Sequence, residues 1–95
     1  MKSRKDVSDM TPDQLVSWFM IAGYAYYRLG ERVMEDTDFD YLVRRLKECW
    51  EQTSHPHKKL ITLGHLNAAT GYDIKYPTIV KYSARHYLRK INETR

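Results

Sequence analysis

Apolar residues recur at steps of three and four along the first third of the chain. The positions that share one face are Leu15, Trp18, Phe19, Ala22, Ala25, Tyr26 and Leu29. Such spacing is typical of an α-helix that packs one side against a core. Upstream, Thr11 is followed by Pro12 and then by Gln14, which has the form of a capping box with proline at the first helical position. Gly30 suits a left-handed helix end, so the pattern predicts a helix over residues 11–30.

A second apolar stripe follows after a short polar connection. Its members are Phe39, Leu42, Val43, Leu46, Cys49 and Trp50. Asp36 has the side chain of a good N-cap, and Asp38 and Asp40 add negative charge in the first turn, where the helix dipole favours it. The pattern predicts a second helix over residues 36–53. The two helices are expected to form a hairpin with a short connection.

The C-terminal half predicts a third substantial helix near residues 78–90, packed on the hairpin. Pro77 resembles a first-turn proline. The apolar stripe that follows consists of Val80, Ala84, Tyr87, Leu88 and Ile91. Before it, breaks at Gly64 and Gly71 indicate one short helical segment or two turns. The predicted fold class is all-α, with a flexible N-terminal segment at residues 1–10 and a single helical domain at 11–95.

Length and composition fit one small domain. Ninety-five residues bury only a modest core, and an aromatic content of 13% indicates that much of this core is aromatic. Cys49 is the only cysteine, which excludes an internal disulfide and favours a reducing cytoplasm. The first ten residues lack the apolar core of a signal peptide, and no apolar run reaches the length of a membrane span. We expect a soluble cytoplasmic protein without a membrane partner.

Charge is distributed unevenly along the chain, whose formal net charge is +4. Residues 31–53 hold seven acidic against four basic side chains, whereas residues 54–95 hold eight Lys or Arg against two carboxylates. The cations that recur beside the third stripe are Lys81, Arg85, Arg89 and Lys90. This basic ridge suits a nucleic-acid backbone or an acidic protein partner, and it equally suits a solvated, solubilising face.

The segment 26–40 combines two adjacent tyrosines with three aspartates. Carboxylates beside aromatic rings form an acidic patch that suits a cationic ring. The same residues also fit a plain helix joint, with aspartates as caps and aromatic side chains as core. Tyr26 lies on the first apolar stripe and suits the core, whereas Tyr27 lies off it and is the better candidate for an exposed contact.

No catalytic or metal-ligating group stands out. The three aspartates lie two residues apart on a helix and so point in different directions. No Ser-His-Asp or Cys-His arrangement has supporting context, and no glycine-rich phosphate loop is present. His55 and His57 flank Pro56 but lack a third ligand, so we expect a solvated helix end and no metal. The residues indicate a protein that is not an enzyme.

Residues 15–56 resemble the N-terminal helical domain of NAD-dependent DNA ligases. The resemblance rests on a Tyr-Tyr pair near the end of one helix, an acidic residue nine positions later that opens the next, an aromatic-Asp pair, Leu42 and the downstream pair at 55–56. In that family the domain grips the nicotinamide mononucleotide half of NAD. The resemblance implies that the ligand contacts come from Tyr26, Tyr27, Asp36, Phe39 and Asp40.

The chain departs from the family pattern at two of these positions. Tyr27 stands where the family often has histidine, and Phe39 stands where it has tyrosine, so an imidazole and a hydroxyl are missing. The family's catalytic Lys-x-Asp-Gly tetrapeptide does not occur anywhere in the sequence. Ligation by this chain alone is therefore excluded. A stand-alone copy of this helical pair looks like something a bacteriophage genome would carry.

Two classes of function follow from the resemblance and the charge pattern. In the first, the hairpin binds NAD or nicotinamide mononucleotide weakly, as an accessory to a separately encoded ligase catalytic subunit. In the second, the pocket is lost and the fold serves as an interaction module. Such a module would bind a host nucleic-acid enzyme, a defence complex or DNA, the last through the basic C-terminal helix.

Overall fold

A computed structural model describes residues 2–68 and 74–93, which form five α-helices and two short 3-10 helices. The α-helices are α1 (Arg4–Ser8), α2 (Pro12–Leu29), α3 (Asp36–Glu48), α4 (Leu63–Ala68) and α5 (Thr78–Glu93). The 3-10 helices lie between α3 and α4, at Trp50–Gln52 and Pro56–Leu60. Within the described residues, extended pairing is limited to one bridge between Lys2 and Met34. The predicted all-α fold class is confirmed.

Helix α2 occupies the centre of the molecule, because both α3 and α5 pack against it. Its predicted ends are confirmed. The Thr11 side chain accepts from the Gln14 N–H at 3.2 Å, and the Gln14 side chain accepts from the Thr11 N–H at 2.9 Å. At the other end Gly30 adopts φ 66°, in the left-handed region that residues with a Cβ rarely enter. These local signals set the length of the helix.

Helix α3 begins at Asp36 as predicted, but its N-cap and its C-terminal end differ from the prediction. The N-cap is Glu35, without a side-chain capping bond, so Asp36 is the first helical residue and its predicted role as N-cap is wrong. The helix ends at Glu48 and not near residue 53. The Thr53 hydroxyl donates to the Trp50 carbonyl at 2.7 Å, and this bond accompanies a tighter 3-10 turn. The spacing of apolar residues does not predict a side-chain hydrogen bond of this kind.

One continuous core lies between α2, α3 and α5. The largest fully buried side chains are Phe19, Leu15, Met20, Leu42, Leu46, Leu66, Ile74, Val7, Val16 and Val33. Four of the ten, Phe19, Leu15, Leu42 and Leu46, belong to the predicted stripes. The α5 stripe buries Val80, Ala84 and Leu88 as expected. Aromatic packing joins α2 to α5 through Trp18 and Tyr87, whose ring centroids lie 5.0 Å apart in an edge-to-face arrangement.

The N-terminal residues are part of this fold, which differs from the flexible segment predicted for residues 1–10. Helix α1 begins with a reciprocal Ser3–Asp6 capping box. Its Val7 side chain is fully buried, and the guanidinium of Arg45 on α3 donates to the Val7 carbonyl oxygen. The segment was too short to show an apolar stripe, so only its contacts with α3 reveal that it docks.

The region between α3 and α5 contains the short helix α4. Gly64 lies inside α4 and does not break it, contrary to the prediction. The second predicted break, Gly71, lies outside the described residues. Beyond it, Ile74 and Tyr76 return to the core before α5 begins. None of the described helices combines the length and the apolar character needed to cross a membrane.

Candidate functional site

An open cavity of about 170 Å³ lies where α2 ends and α3 begins. The five residues proposed from the sequence as nucleotide contacts all line it: Tyr26, Tyr27, Asp36, Phe39 and Asp40. The remaining lining residues are Ala22, Gly23, Arg32, Val33 and Met34. The left-handed turn at Gly30 and the short connection to Asp36 bring the two sets of side chains together. Residues up to eighteen positions apart thus share one surface.

The aromatic side chains of the cavity differ in solvent exposure and in packing. Tyr26 is 49% exposed, and its ring meets the ring of Tyr27 edge to face at a centroid distance of 4.9 Å. Tyr27 is only partly exposed, so the predicted order of exposure of the two tyrosines is reversed. Phe39 is half-buried and stacks on the core residue Phe19 at 5.8 Å. Phe39 therefore forms a wall of the cavity that is fixed by its packing on Phe19, whereas Tyr26 lies at the solvent-exposed side of the cavity.

The charged side chains of the cavity are unequally neutralised. Asp36 lies 3.5 Å from Arg32, one helical turn before it in sequence, and both side chains are largely exposed. Asp40 is exposed and has no ion pair among the described residues. Asp38, on the same helix, faces away from the cavity and pairs with Arg4 at 3.7 Å. The cavity thus offers one uncompensated carboxylate and one guanidinium.

Arg32 lines the cavity but was not predicted from the sequence as a site residue. It lies in the connection between the helices, outside both apolar stripes, and no capping pattern involves it. Its placement four residues before Asp36 was the available signal, since such a spacing favours an ion pair once the helix begins. A guanidinium at the edge of an aromatic cavity adds an anion-binding group to the site.

A serine and a histidine that were not paired from the sequence meet on the far side of α2. Ser17 Oγ lies 2.8 Å from Nε2 of His55. The backbone N–H of His57 donates to Nδ1 of His55 at 3.0 Å, so in the neutral ring the proton resides on Nε2. Nε2 therefore donates to Ser17 and does not act as a base toward it. The pair holds the 3-10 helix Pro56–Leu60 to α2 and forms no nucleophile.

The pKa of His55 is lowered, first by burial of the ring and second by the nearby His57, against an opposing effect of Asp13. Asp13 in turn accepts from the Ser54 N–H at 2.8 Å, and this bond is the main reason that the pKa of Asp13 is lowered. The neutral form of His55 is the one that accepts the His57 N–H. No group of three or more potential metal ligands occurs in the described parts of the chain.

The basic residues predicted on the third helix lie apart from the cavity. Lys81, Arg85, Arg89 and Lys90 are all exposed on α5, and none of them lines the site at the helix joint. Arg85 donates to the hydroxyl of Tyr24 on α2 at 3.2 Å. The sequence-proposed residues therefore form two separate surfaces, one acidic and aromatic, the other basic.

The chain matches no protein-family model, no curated protein and no solved structure. The residues that line the cavity indicate the chemistry that it can support. Three aromatic rings, a free carboxylate and a guanidinium around a small open space are suited to a flat cation that carries an anionic group. Among the described residues that line the cavity there is no histidine, cysteine, serine or lysine.

Proposed function

We propose that this protein is a non-catalytic module that binds the nicotinamide mononucleotide portion of a pyridine nucleotide. The observation that carries the proposal is the convergence of Tyr26, Tyr27, Asp36, Phe39 and Asp40 on one cavity. The resemblance to the ligase domain implies the same five positions as ligand contacts. A joint between two helices needs cap and core residues, but it does not require all five of them around an open space.

The charges of the cavity match those of the ligand. The pyridinium ring would lie against Tyr26 and the fixed wall of Phe39, with the carboxylate of Asp40 near its positive charge. The guanidinium of Arg32 would meet the 5′-phosphate. Asp36 would hold Arg32 in place and contact the ribose or the carboxamide. The lost hydroxyl at position 39 removes one hydrogen bond from this arrangement.

The size of the cavity indicates weak binding. Its volume of about 170 Å³ is below the roughly 300–1,000 Å³ of most small-molecule sites, so it would take the ring and leave much of the nucleotide exposed. Half a site of this kind should bind in the range of roughly 10 μM to 1 mM. A second protein, such as a separately encoded ligase catalytic subunit, would supply the missing contacts.

The test is an amide NMR titration of the isotope-labelled protein with nicotinamide mononucleotide. We expect saturable shifts at the cavity residues and much weaker ones with AMP, which lacks the cationic ring. The reduced mononucleotide has the same size but a neutral ring and should also bind less well. Asp40→Asn should weaken the binding of the oxidised form by at least about 5-fold, since it removes the one unpaired carboxylate.

The control variant is Glu48→Gln, which removes one exposed carboxylate from the end of the same helix, away from the cavity. It should bind like the wild type. If Asp40→Asn and Glu48→Gln lost equal affinity for the mononucleotide, the loss would come from the change in overall net charge and not from a contact in the cavity. The absence of shifts at millimolar mononucleotide would overturn the nucleotide proposal and favour the second candidate, an interaction module of the bacteriophage type that docks on a host enzyme or defence complex.

A further inference from the structure

The outer face of α5 carries large side chains that the fold does not use. Ile79 is 61% exposed and Tyr82 is 67% exposed. The ring of His86, one turn after Tyr82, lies nearly parallel to the tyrosine ring, with an interplanar angle of 7° and a centroid distance of 6.1 Å. These residues lie on the side of the helix opposite the buried stripe. Two flat rings are thus presented to solvent in the same orientation.

A row of cations runs beside these rings. Lys81, Arg85 and Arg89 recur every four residues, which places successive charges about 6 Å apart along the helix. None of the three is paired with a carboxylate in the described parts of the chain. The Arg85 guanidinium contacts the Tyr24 hydroxyl, which steadies its side chain without neutralising it. The two rings therefore lie beside a row of three cations on one helix. We call Lys81, Arg85 and Arg89 the cation ridge.

The basic surface continues beyond the first turn of α5. A groove of about 460 Å³ beside Lys81 is also lined by Arg28 and Lys75. The Arg28 guanidinium lies 6.0 Å from the centre of the Tyr76 ring, so a second cation and ring lie together in this groove. An extended polyanion that follows the cation ridge toward the start of the helix would pass directly into it.

We propose that the outer face of α5 binds single-stranded nucleic acid, with the backbone along the cation ridge and bases on the Tyr82–His86 pair. A polyanion complements three cations in a row that form no ion pair in the described parts of the chain. Exposed ring faces beside such a row suit unpaired bases, since every base presents a flat face for stacking. In a duplex the bases are already stacked on one another, so Tyr82 would find no partner there. This function does not depend on the cavity at the α2–α3 joint.

The experiment measures the fluorescence anisotropy of a labelled oligothymidylate of about 12 nucleotides as the protein is added. With three phosphate contacts, the logarithm of the affinity should fall with the logarithm of the salt concentration with a slope of about −2. Tyr82→Ala should weaken binding roughly 5- to 100-fold, which corresponds to one lost stacking contact. Tyr82→Phe keeps the ring and should bind like the wild type.

Charge is tested with a matched pair of substitutions. Arg89→Gln should reduce the steepness of the salt dependence by about 0.7, as expected for one lost phosphate contact. Arg44→Gln removes an equal charge from an exposed position on α3 and should leave both affinity and slope unchanged. Because Tyr82, Arg89 and Arg44 are all exposed, unfolding curves of the variants should overlay that of the wild type.

Three results would overturn the proposal. The first is no anisotropy change with about 100 μM wild-type protein at about 50 mM salt. The second is unchanged affinity in Tyr82→Ala. This result would show that bases do not stack on Tyr82 and that binding is only a non-specific attraction between the cations and phosphate. The third is an equal effect of Arg44→Gln and Arg89→Gln. An oligouridylate of the same length distinguishes RNA from DNA as the preferred strand, and either preference supports the proposal.

Discussion

Gly23 illustrates how a single residue connects the cavity to the core. A Cβ atom at this position would lie 2.6 Å from the hydroxyl oxygen of Tyr76, which is closer than Cβ atoms come to non-bonded neighbours. Tyr76 has a rigid side chain, is buried, and packs edge to face on Tyr24 at 5.4 Å. The hydroxyl cannot move aside without moving the whole ring. Glycine is therefore required by close packing and not by backbone conformation.

We expect Gly23→Ala to lower the free energy of unfolding by about 1–3 kcal/mol, the usual cost of overpacking a core. Urea denaturation measures this loss. In the double variant with Tyr76→Phe the offending oxygen is gone, so the two changes together should cost less than the sum of their separate effects. Gly64→Ala, whose new Cβ would meet its nearest atom at 3.4 Å, serves as the tolerant control. Additive losses would show that Tyr76 is not the obstacle.

At the scale of elements, the 3-10 helix Pro56–Leu60 depends on one histidine. His55 caps this helix by accepting the His57 N–H, and it also donates to Ser17 on α2. Protonation of Nδ1 would abolish the first of these bonds. Burial of the ring, followed by the effect of His57, already lowers the pKa of His55 in the folded protein. The element is thus held in place by a neutral imidazole.

This arrangement predicts a pH-dependent stability. Since the pKa of His55 is lower in the folded state than its ordinary value of 6.5, the unfolded chain binds the proton first. The contribution of His55 is complete above pH 6.5 and is lost as the pH falls through that value toward the folded-state pKa. The urea midpoint of the wild type should therefore decrease between about pH 7.5 and 5. His55→Asn, which does not titrate, should reduce this dependence, and identical curves would contradict the assignment.

At the scale of the whole molecule, the N-terminal helix belongs to the folded unit. Val7 is fully buried against α3, and the ammonium group of Lys2 lies 4.7 Å from the centre of the Trp18 ring. Arg4 adds a cation–π contact with Tyr41, at 4.8 Å from the ring centre. These contacts spread the first residues over both α2 and α3. The molecule has a radius of gyration of 12.3 Å, close to the value of about 12 Å expected for a compact chain of this length.

We expect Val7→Ala to destabilise the protein by about 1–3 kcal/mol, through lost burial and the small cavity left behind. Ile79→Ala removes a larger aliphatic group from an exposed position and should change stability by less than about 0.5 kcal/mol. Chemical denaturation of both variants makes the comparison. If Val7→Ala changed the free energy of unfolding as little as Ile79→Ala, residues 2–10 would not be packed against α2 and α3 in solution.

Much of the fold was predictable because its signals are local. The Thr11–Gln14 capping box, the left-handed turn at Gly30 and the apolar spacing of α2, α3 and α5 each act within a few residues, and each is confirmed. The errors arose where a side chain bonds its own backbone or where a short segment depends on a distant surface. The Thr53 hydroxyl bonds the Trp50 carbonyl in this way, in the 3-10 turn that follows the end of α3 at Glu48. Helix α1 is too short to show a periodic stripe.

The same distinction applies to the candidate site. Local patterns in the sequence specify which residues stand at the joint between α2 and α3, because helix length and a single left-handed residue set that joint. Contacts between the helices determine that Tyr26 is the more exposed of the two tyrosines, that Arg32 lines the cavity and that Asp40 has no ion pair among the described residues. Periodicity gives the face of a helix on which a residue lies. Whether another element covers that face depends on contacts between residues distant in sequence, and no local pattern encodes them.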